Sequence, residues 1–395
     1  MTTPAPTSAR MLEAARAREA AFASVLAELV AIDSGTDSPD GVNRMADRVG
    51  ELLAADGWTV ERHATDRVDD RRWGDILIAR LRGAGGRRVL LLGHLDTVFP
   101  DGTAAARPFR VEDGRGYGPG VCDMKGGLLV GLHAAGVLRD VGDEAFGELV
   151  FVCNPDEERG SPASRPRILD EARRADAVLV LEAARENGDV VSSRKGVTTV
   201  RIEITGRAAH AGVEPERGRS AVVEAARKIE ALHALHDGPD GTTVNVGVVQ
   251  AGTRSNVVPE RAVLDIDVRA STESALSAVE AEVERIGSTN ATEGVTSTVH
   301  QSREVRPMER SAGTVELFRT ARAIAADLGF ALDEAATGGA SDANATSAIG
   351  IATLDGLGPV GGDDHSEREW IDMRSVAERT ALLAGLISTI GRGAS

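Results

Sequence analysis

Cysteine is scarce in this chain: Cys122 and Cys153 are the two in 395 residues. That count excludes a disulfide framework, and a reducing cytoplasm is the compartment it fits. Both thiols read as buried and free, with a single disulfide or a further ligand as the alternatives. Basic charge is scarce too, since 45 Lys and Arg stand against 61 Asp and Glu, a net charge of −16. Nucleic acids and anionic membrane surfaces are recognised by basic patches, so neither is an expected partner. No apolar run reaches the ~18 residues of a transmembrane helix. Met1–Arg10 is rich in Thr, Pro and Ala and lacks the apolar centre of a signal peptide. No internal repeat or long linker is visible.

What is present is a globular composition, 42% hydrophobic and 27% charged, in a chain too long for one ordinary core, so two domains are expected. The spacing predicts a helix over 11–31, with Phe22, Val25, Leu26, Leu29 and Val30 on one face, and a second over 41–55 that ends at Gly57. Asp75–Leu81, Arg88–Gly93, Glu148–Cys153 and Asp176–Leu181 read as strands. Val89–Leu92 and Val178–Leu181 are continuously apolar, which marks strands buried on both faces of a largely parallel sheet, and 125–139 between them reads as a helix. This is α/β texture, in which ligands bind beyond the carboxyl ends of strands.

Near 196 the texture changes. Val200, Ile202 and Ile204 alternate, the mark of a sheet with one wet face. A helix at 219–235, strands at 242–250 and 261–269, a helix carrying Leu276, Val279, Val283 and Ile286, and a strand at 295–301 complete a β-α-β-β-α-β order that resembles a ferredoxin-like unit. Helix 313–328, strand 350–354 and helix 374–390 return to the first texture. The reading is a discontinuous α/β catalytic domain, 1–195 and 305–395, with a mixed sheet flanked by helices, interrupted by an inserted α+β unit, 196–304.

The chemistry lies at strand ends. Gly-His94-Leu-Asp96, Gly-Val-Cys-Asp123-Met-Lys-Gly-Gly, Asn-Pro-Asp-Glu157-Glu158-Arg-Gly, Leu-Glu182-Ala and Asp-Asp-His365-Ser-Glu supply two imidazoles and several carboxylates, the inventory of a two-metal hydrolytic site. The i, i+2 spacing of His94 and Asp96 lets the carboxylate bond the ring nitrogen that does not face a metal. Asp123 opens a helix from the Gly-rich turn Gly118–Gly127, where an N-cap is the plainer alternative. Glu157 and Glu158 are adjacent acids whose side chains diverge, so one can bind metal and the other act as general base. A solvated acidic loop is the alternative there. Singly each signal is weak, and together, in this order, they are strong.

With those residues in place the chain resembles the zinc-dependent aminoacylase and glutamate-carboxypeptidase family of co-catalytic metallopeptidases, nearest the glutamate carboxypeptidases, over nearly its whole length. The resemblance implies two Zn2+ per chain, with Co2+ or Mn2+ as substitutes. His94, Asp123 and Glu182 would hold one ion, and Glu158 and His365 would complete a second bridged by Asp123. Asp96 would orient His94, Glu157 would be the base, and the Asp123–Met124 peptide would be cis. In the inserted unit, Thr205-Gly-Arg-Ala-Ala-His210 resembles the family's lid segment, and Asn256 and Arg269 match polar substrate contacts. On residues alone, His210 reads as a structural histidine and Arg269 as a surface ion-pair residue. Gly338-Gly339-Ala-Ser-Asp342 resembles a substrate-facing Gly-rich loop; it lacks the Gly-Lys-Ser/Thr ending of a phosphate-binding P-loop. The expected function is release of a C-terminal amino acid from a small peptide or N-acyl amino acid with a free carboxylate, by a cytoplasmic homodimer. An N-acyl-amino-acid deacylase or desuccinylase is the alternative within hydrolases. A metal-dependent binding protein without catalysis is the alternative outside them.

Overall fold

The computed structural model describes residues 7–393. Met1–Pro6, most of the stretch read above as lacking a signal peptide, lie outside the described residues. The described residues divide into two compact units, one of 7–192, 310–336 and 341–393, the other of 193–309 with 337–340. The inserted unit therefore runs a few residues wider than its apolar pattern and takes in Thr337–Ala340.

The larger unit is built on a six-stranded sheet. Its order is Thr59–His63, Ile76–Arg82, Glu148–Asn154, Arg88–His94, Ala177–Val180 and Thr353–Leu354. The last four strands run parallel and the first two pair antiparallel at one edge. Arg88–His94 and Glu148–Asn154 are buried at every position after their first, as their unbroken apolar runs require. Helix Val376–Arg392 packs against helices Gly126–Val141, Ala312–Leu328 and Ser8–Arg16. Helix Pro39–Ala55 covers the antiparallel edge and stops before Gly57, whose φ is 86°. Cys122 and Cys153 are buried and free.

Two expectations change. The helix expected over 11–31 is two helices, Ser8–Arg16 and Glu19–Val30. Arg18 takes a backbone angle ψ of −5° at the break, and its guanidinium pairs with Asp140 at 2.8 Å. The amphipathic period runs through both helices, so it does not register the break. Val121–Val141 is long and apolar enough to cross a membrane, yet 89% of that window is buried inside the protein. Its apolarity is that of a core helix, and Gly, His and Lys interrupt the run that a sequence scan looks for.

The inserted unit follows the order strand Gly196–Thr205, helix Ala221–His233, strands Thr243–Ala251 and Arg261–Ala270, helix Glu273–Ser288, strand Thr296–Val305. All four strands pair antiparallel, with Thr243–Ala251 at one edge and Thr296–Val305 at the other. Val200, Ile202 and Ile204 face a separate core with Leu264, Ile266, Leu276 and Val283. Thr272 caps its helix by accepting the Ala275 N–H.

Candidate metal centre

Three parallel strands of the larger unit end in chemistry. Arg88–His94 ends on His94, Glu148–Asn154 runs into the turn Glu157–Arg159, and Ala177–Val180 runs into Glu182. Asp123 sits in the tight turn Val121–Lys125 that opens helix Gly126–Val141, and its peptide bond to Met124 is cis. His365 follows the short strand Gly361–Gly362 and has φ 60°, a left-handed conformation uncommon for a non-glycine residue.

These side chains converge. The carboxylate of Asp123 lies between two imidazoles, with Oδ1 2.8 Å from His94 Nε2 and Oδ2 3.0 Å from His365 Nε2. Glu182 Oε1 is 3.8 Å from His94 Nε2, and Glu158 Oε2 is 3.2 Å from His365 Nε2. Ligand-capable atoms of His94, Asp123 and Glu158 lie within 4.8 Å of one another, as do those of His94, Glu157 and Glu182. Glu157 thus faces the His94 side, close beside Glu182.

Asp96 serves more than His94. The His94 Nδ1 is 2.9 Å from the Asp96 backbone carbonyl and 3.4 Å from its Oδ1. The Asp96 carboxylate also accepts the backbone N–H groups of Glu157 and Glu158, at 3.1 and 3.2 Å, and the Thr36 hydroxyl at 2.7 Å. One buried acid therefore sets the imidazole and the two-glutamate turn together. Behind that turn, Asp156 accepts the Ala163 N–H at 2.7 Å and the Ser164 hydroxyl. Asn154 Nδ2 reaches Asp342 at 2.8 Å.

The electrostatics call for positive charge. Burial works against a charged His94, yet hydrogen bonds to Asp123 and Asp96 with the Glu182 charge outweigh it and raise its pKa well above 6.5. Hydrogen bonds to Asp123 and Glu158 lift His365 to about 10. Burial would push the Asp123 carboxyl up, but bonds from His365 and His94 hold it below the usual range. Burial, reinforced by Glu182, pushes Glu157 well above 4.5, and burial raises Glu158. Oε1 of Glu158 is buried with no hydrogen-bond partner among the described residues. His94, His365, Glu157 and Glu158 are thus all shifted toward their protonated forms, and with Asp123 and Glu182 beside them they form a donor set that divalent cations satisfy by displacing protons. The residues fit a metal, with Asp123 offering one oxygen to each side.

The other sequence-derived positions lie in the inserted unit. His210 and Asn256 are brought together there: His210 bridges Val257, and the Ala211 N–H donates to the Asn256 carbonyl at 3.0 Å. Both residues are exposed. Arg269 donates to Asp267 and to the Gly338 carbonyl, and Arg194 donates to the Gly339 carbonyl at 3.1 Å. Those two arginines tie the Gly-rich loop to this unit, which is why Thr337–Ala340 groups with it. Sequence reasoning missed Glu369, a buried acid that accepts backbone N–H groups of the Asp123 turn. Its signal was slight: an acid four residues after His365, directly before the apolar pair Trp370-Ile371.

Known proteins are similar to this chain along most of its length. Residues 90–389 match the model of peptidase family M20/M25/M40. Carboxypeptidase G2 of Pseudomonas sp. (strain RS-16) is 32% identical over 386 residues, covering 97% of this chain and 92% of its own. Acetylornithine deacetylase of Myxococcus xanthus is 31% identical over 255 residues, 60% of this chain and 64% of its own. The crystal structure of aminopeptidase PepT from Bacillus cereus superposes with a TM-score of 0.81 at 25% identity, covering 94% of this chain and 98% of its own.

Proposed function

Since the chain belongs to peptidase family M20/M25/M40, and is thus a metal-dependent hydrolase of amide bonds, we propose that it is a two-zinc exopeptidase that releases a C-terminal amino acid bearing a free carboxylate. The observation that carries the reading is Asp123, whose two oxygens each face a different imidazole. Similarity to carboxypeptidase G2 over almost the entire chain supports the peptidase form. His94 and Glu182 would hold one ion, His365 and Glu158 the other, and Asp123 both.

Zinc in this donor set would supply polarisation of the scissile carbonyl and acidification of water. Glu157 is the base in this reading: it receives the proton of the attacking water and delivers it to the leaving amine. Asp96 keeps the Glu157 turn and the His94 ring in register through the bonds above. His210 is assigned the developing oxyanion, a role often worth ~3 kcal/mol. Arg269 is assigned the substrate carboxylate, and Asn256 and Gly339 further polar contacts. The similarity to acetylornithine deacetylase favours a second reading, an N-acyl-amino-acid deacylase.

The test separates base from ligand. Glu157→Gln should lower kcat by about 100-fold or more while zinc content by elemental analysis stays at the wild-type value. Glu158→Gln should lose zinc. A Glu157→Gln enzyme that retains more than about a tenth of the wild-type rate sinks the base assignment. A panel of dipeptides against N-acyl amino acids, read by amine release, decides between peptidase and deacylase.

A further inference from the structure

The segment that carries His365 also carries Glu369, which is 1% exposed. Its Oε2 accepts the Gly120 N–H at 2.8 Å, and its Oε1 accepts those of Cys122 at 2.8 Å and Asp123 at 3.0 Å. A buried carboxylate is costly unless its oxygens are satisfied, and here the satisfaction comes from the turn that presents Asp123. That turn has little rigidity of its own. Gly118 and Gly120 sit at φ 156° and 75°, conformations that glycine reaches freely and leaves freely. On its other side the turn is closed by the buried Lys125, whose N–H bonds the Gly120 carbonyl at 2.8 Å and whose Nζ donates to the Ile32 carbonyl at 3.0 Å. Asp123 must keep two oxygens aimed at two imidazoles, so a small rotation of its backbone misdirects both.

We infer that Glu369 is a positioning residue of the metal centre: by gripping the backbone of residues 120–123 it fixes the two-sided aim of the Asp123 carboxylate and so sets metal affinity. The inference rests on the metal-centre reading above. Glu369 needs no contact with metal or substrate for this role. Glu369→Gln is the informative change. The amide oxygen can still accept from Cys122 and Asp123, but its NH2 group then faces the Gly120 N–H, donor against donor.

Zinc affinity by chelator competition, the visible spectrum of the cobalt-loaded protein, kcat and KM are measured on folded protein, well below its unfolding midpoint. For Glu369→Gln the expected result is zinc binding weakened about 10- to 100-fold, the scale usual for groups that orient metal ligands. The cobalt bands should shift, and kcat should fall with little change in KM. Glu369→Asp, which keeps the charge and both acceptor oxygens, should recover part of the affinity. A folded Glu369→Gln protein with wild-type zinc affinity and an unchanged cobalt spectrum overturns the inference and leaves Glu369 a fold anchor. Should Glu369→Gln fail to fold, the same readouts on Glu369→Asp decide: an unchanged affinity and spectrum overturn it, a partial loss supports it. A wild-type protein that takes up neither zinc nor cobalt overturns the metal-centre reading itself, a distinct outcome.

Discussion

The guanidinium of Arg269 is held by its own strand: Nε and Nη2 donate to the two oxygens of Asp267 at 2.8 and 3.1 Å, and Nη1 donates to the Gly338 carbonyl at 2.9 Å. Three of its five N–H donors are thus used, and two remain for a carboxylate. A fork pre-set by Asp267 loses less side-chain freedom when it takes a substrate. We therefore expect amidation of the substrate's α-carboxylate to lower kcat/KM at least about 10-fold, since it removes the charge-assisted pair that the remaining donors would make with it. Arg269→Ala should narrow the gap between free and amidated substrates. Equal cleavage of both by the wild type would remove the carboxylate from the substrate definition. At this scale, the side chains that meet around Asp123 were legible because each follows an apolar strand or a Gly-rich turn. The bonds that hold the backbone around them were not. Asp96 bonds backbone N–H groups 61 and 62 residues away, and Glu369 bonds N–H groups 246 to 249 residues away, and such contacts leave no period or motif in the sequence.

Helix Gly126–Val141 links the metal turn to the core, and its glycines set how closely it lies on the sheet. A Cβ on Gly127 would stand 2.0 Å from the Leu181 carbonyl oxygen, and one on Gly131 2.9 Å from the Phe151 ring. Backbone cannot yield as a ring edge can, so the first contact is the harder one. Leu181 directly precedes Glu182, so the strain reaches a proposed ligand. Gly127→Ala should destabilise the protein by about 1–3 kcal/mol, the range for overpacking. At roughly 2–4 °C per kcal/mol that is a clear fall in Tm by calorimetry, together with weaker zinc binding. Gly131→Ala should cost less. An unchanged Tm for Gly127→Ala would mean that the helix does not sit this close. The sequence shows this element through its apolar run, and the close approach through the glycine pair. The strands Arg110–Glu112, Arg115–Tyr117, Gly361–Gly362 and Trp370–Asp372, which form a small separate sheet, are two or three residues long, too short for a period of two to register. The break at Arg18 is equally silent: the Asp140 that pairs with it lies on another helix, 122 residues away.

For the whole molecule, the open question is what covers the inserted unit. Its strand Thr243–Ala251 is an edge strand that, among the described residues, pairs on one side only, with Arg261–Ala270. Beyond a register shift at Val246/Val248 it carries Val248 and Val249 at 44% and 51% exposure, and Val223 of helix Ala221–His233 is 46% exposed. An edge with free N–H and C=O groups and exposed valines is a template for pairing with a second chain unless something blunts it. Two-fold association places the same patch on both partners, so an edge that pairs with its own copy closes into a dimer. We propose a homodimer joined through this unit, with the edge strand at its centre. Light scattering should give about twice the chain mass at micromolar concentration. Val248→Lys with Val249→Lys should shift the protein to monomer, because charge on an edge opposes strand addition, while the metal content of the larger unit stays at its wild-type value. An active wild-type monomer at micromolar concentration would sink the dimer, and a double variant that stays dimeric would move the interface off this strand.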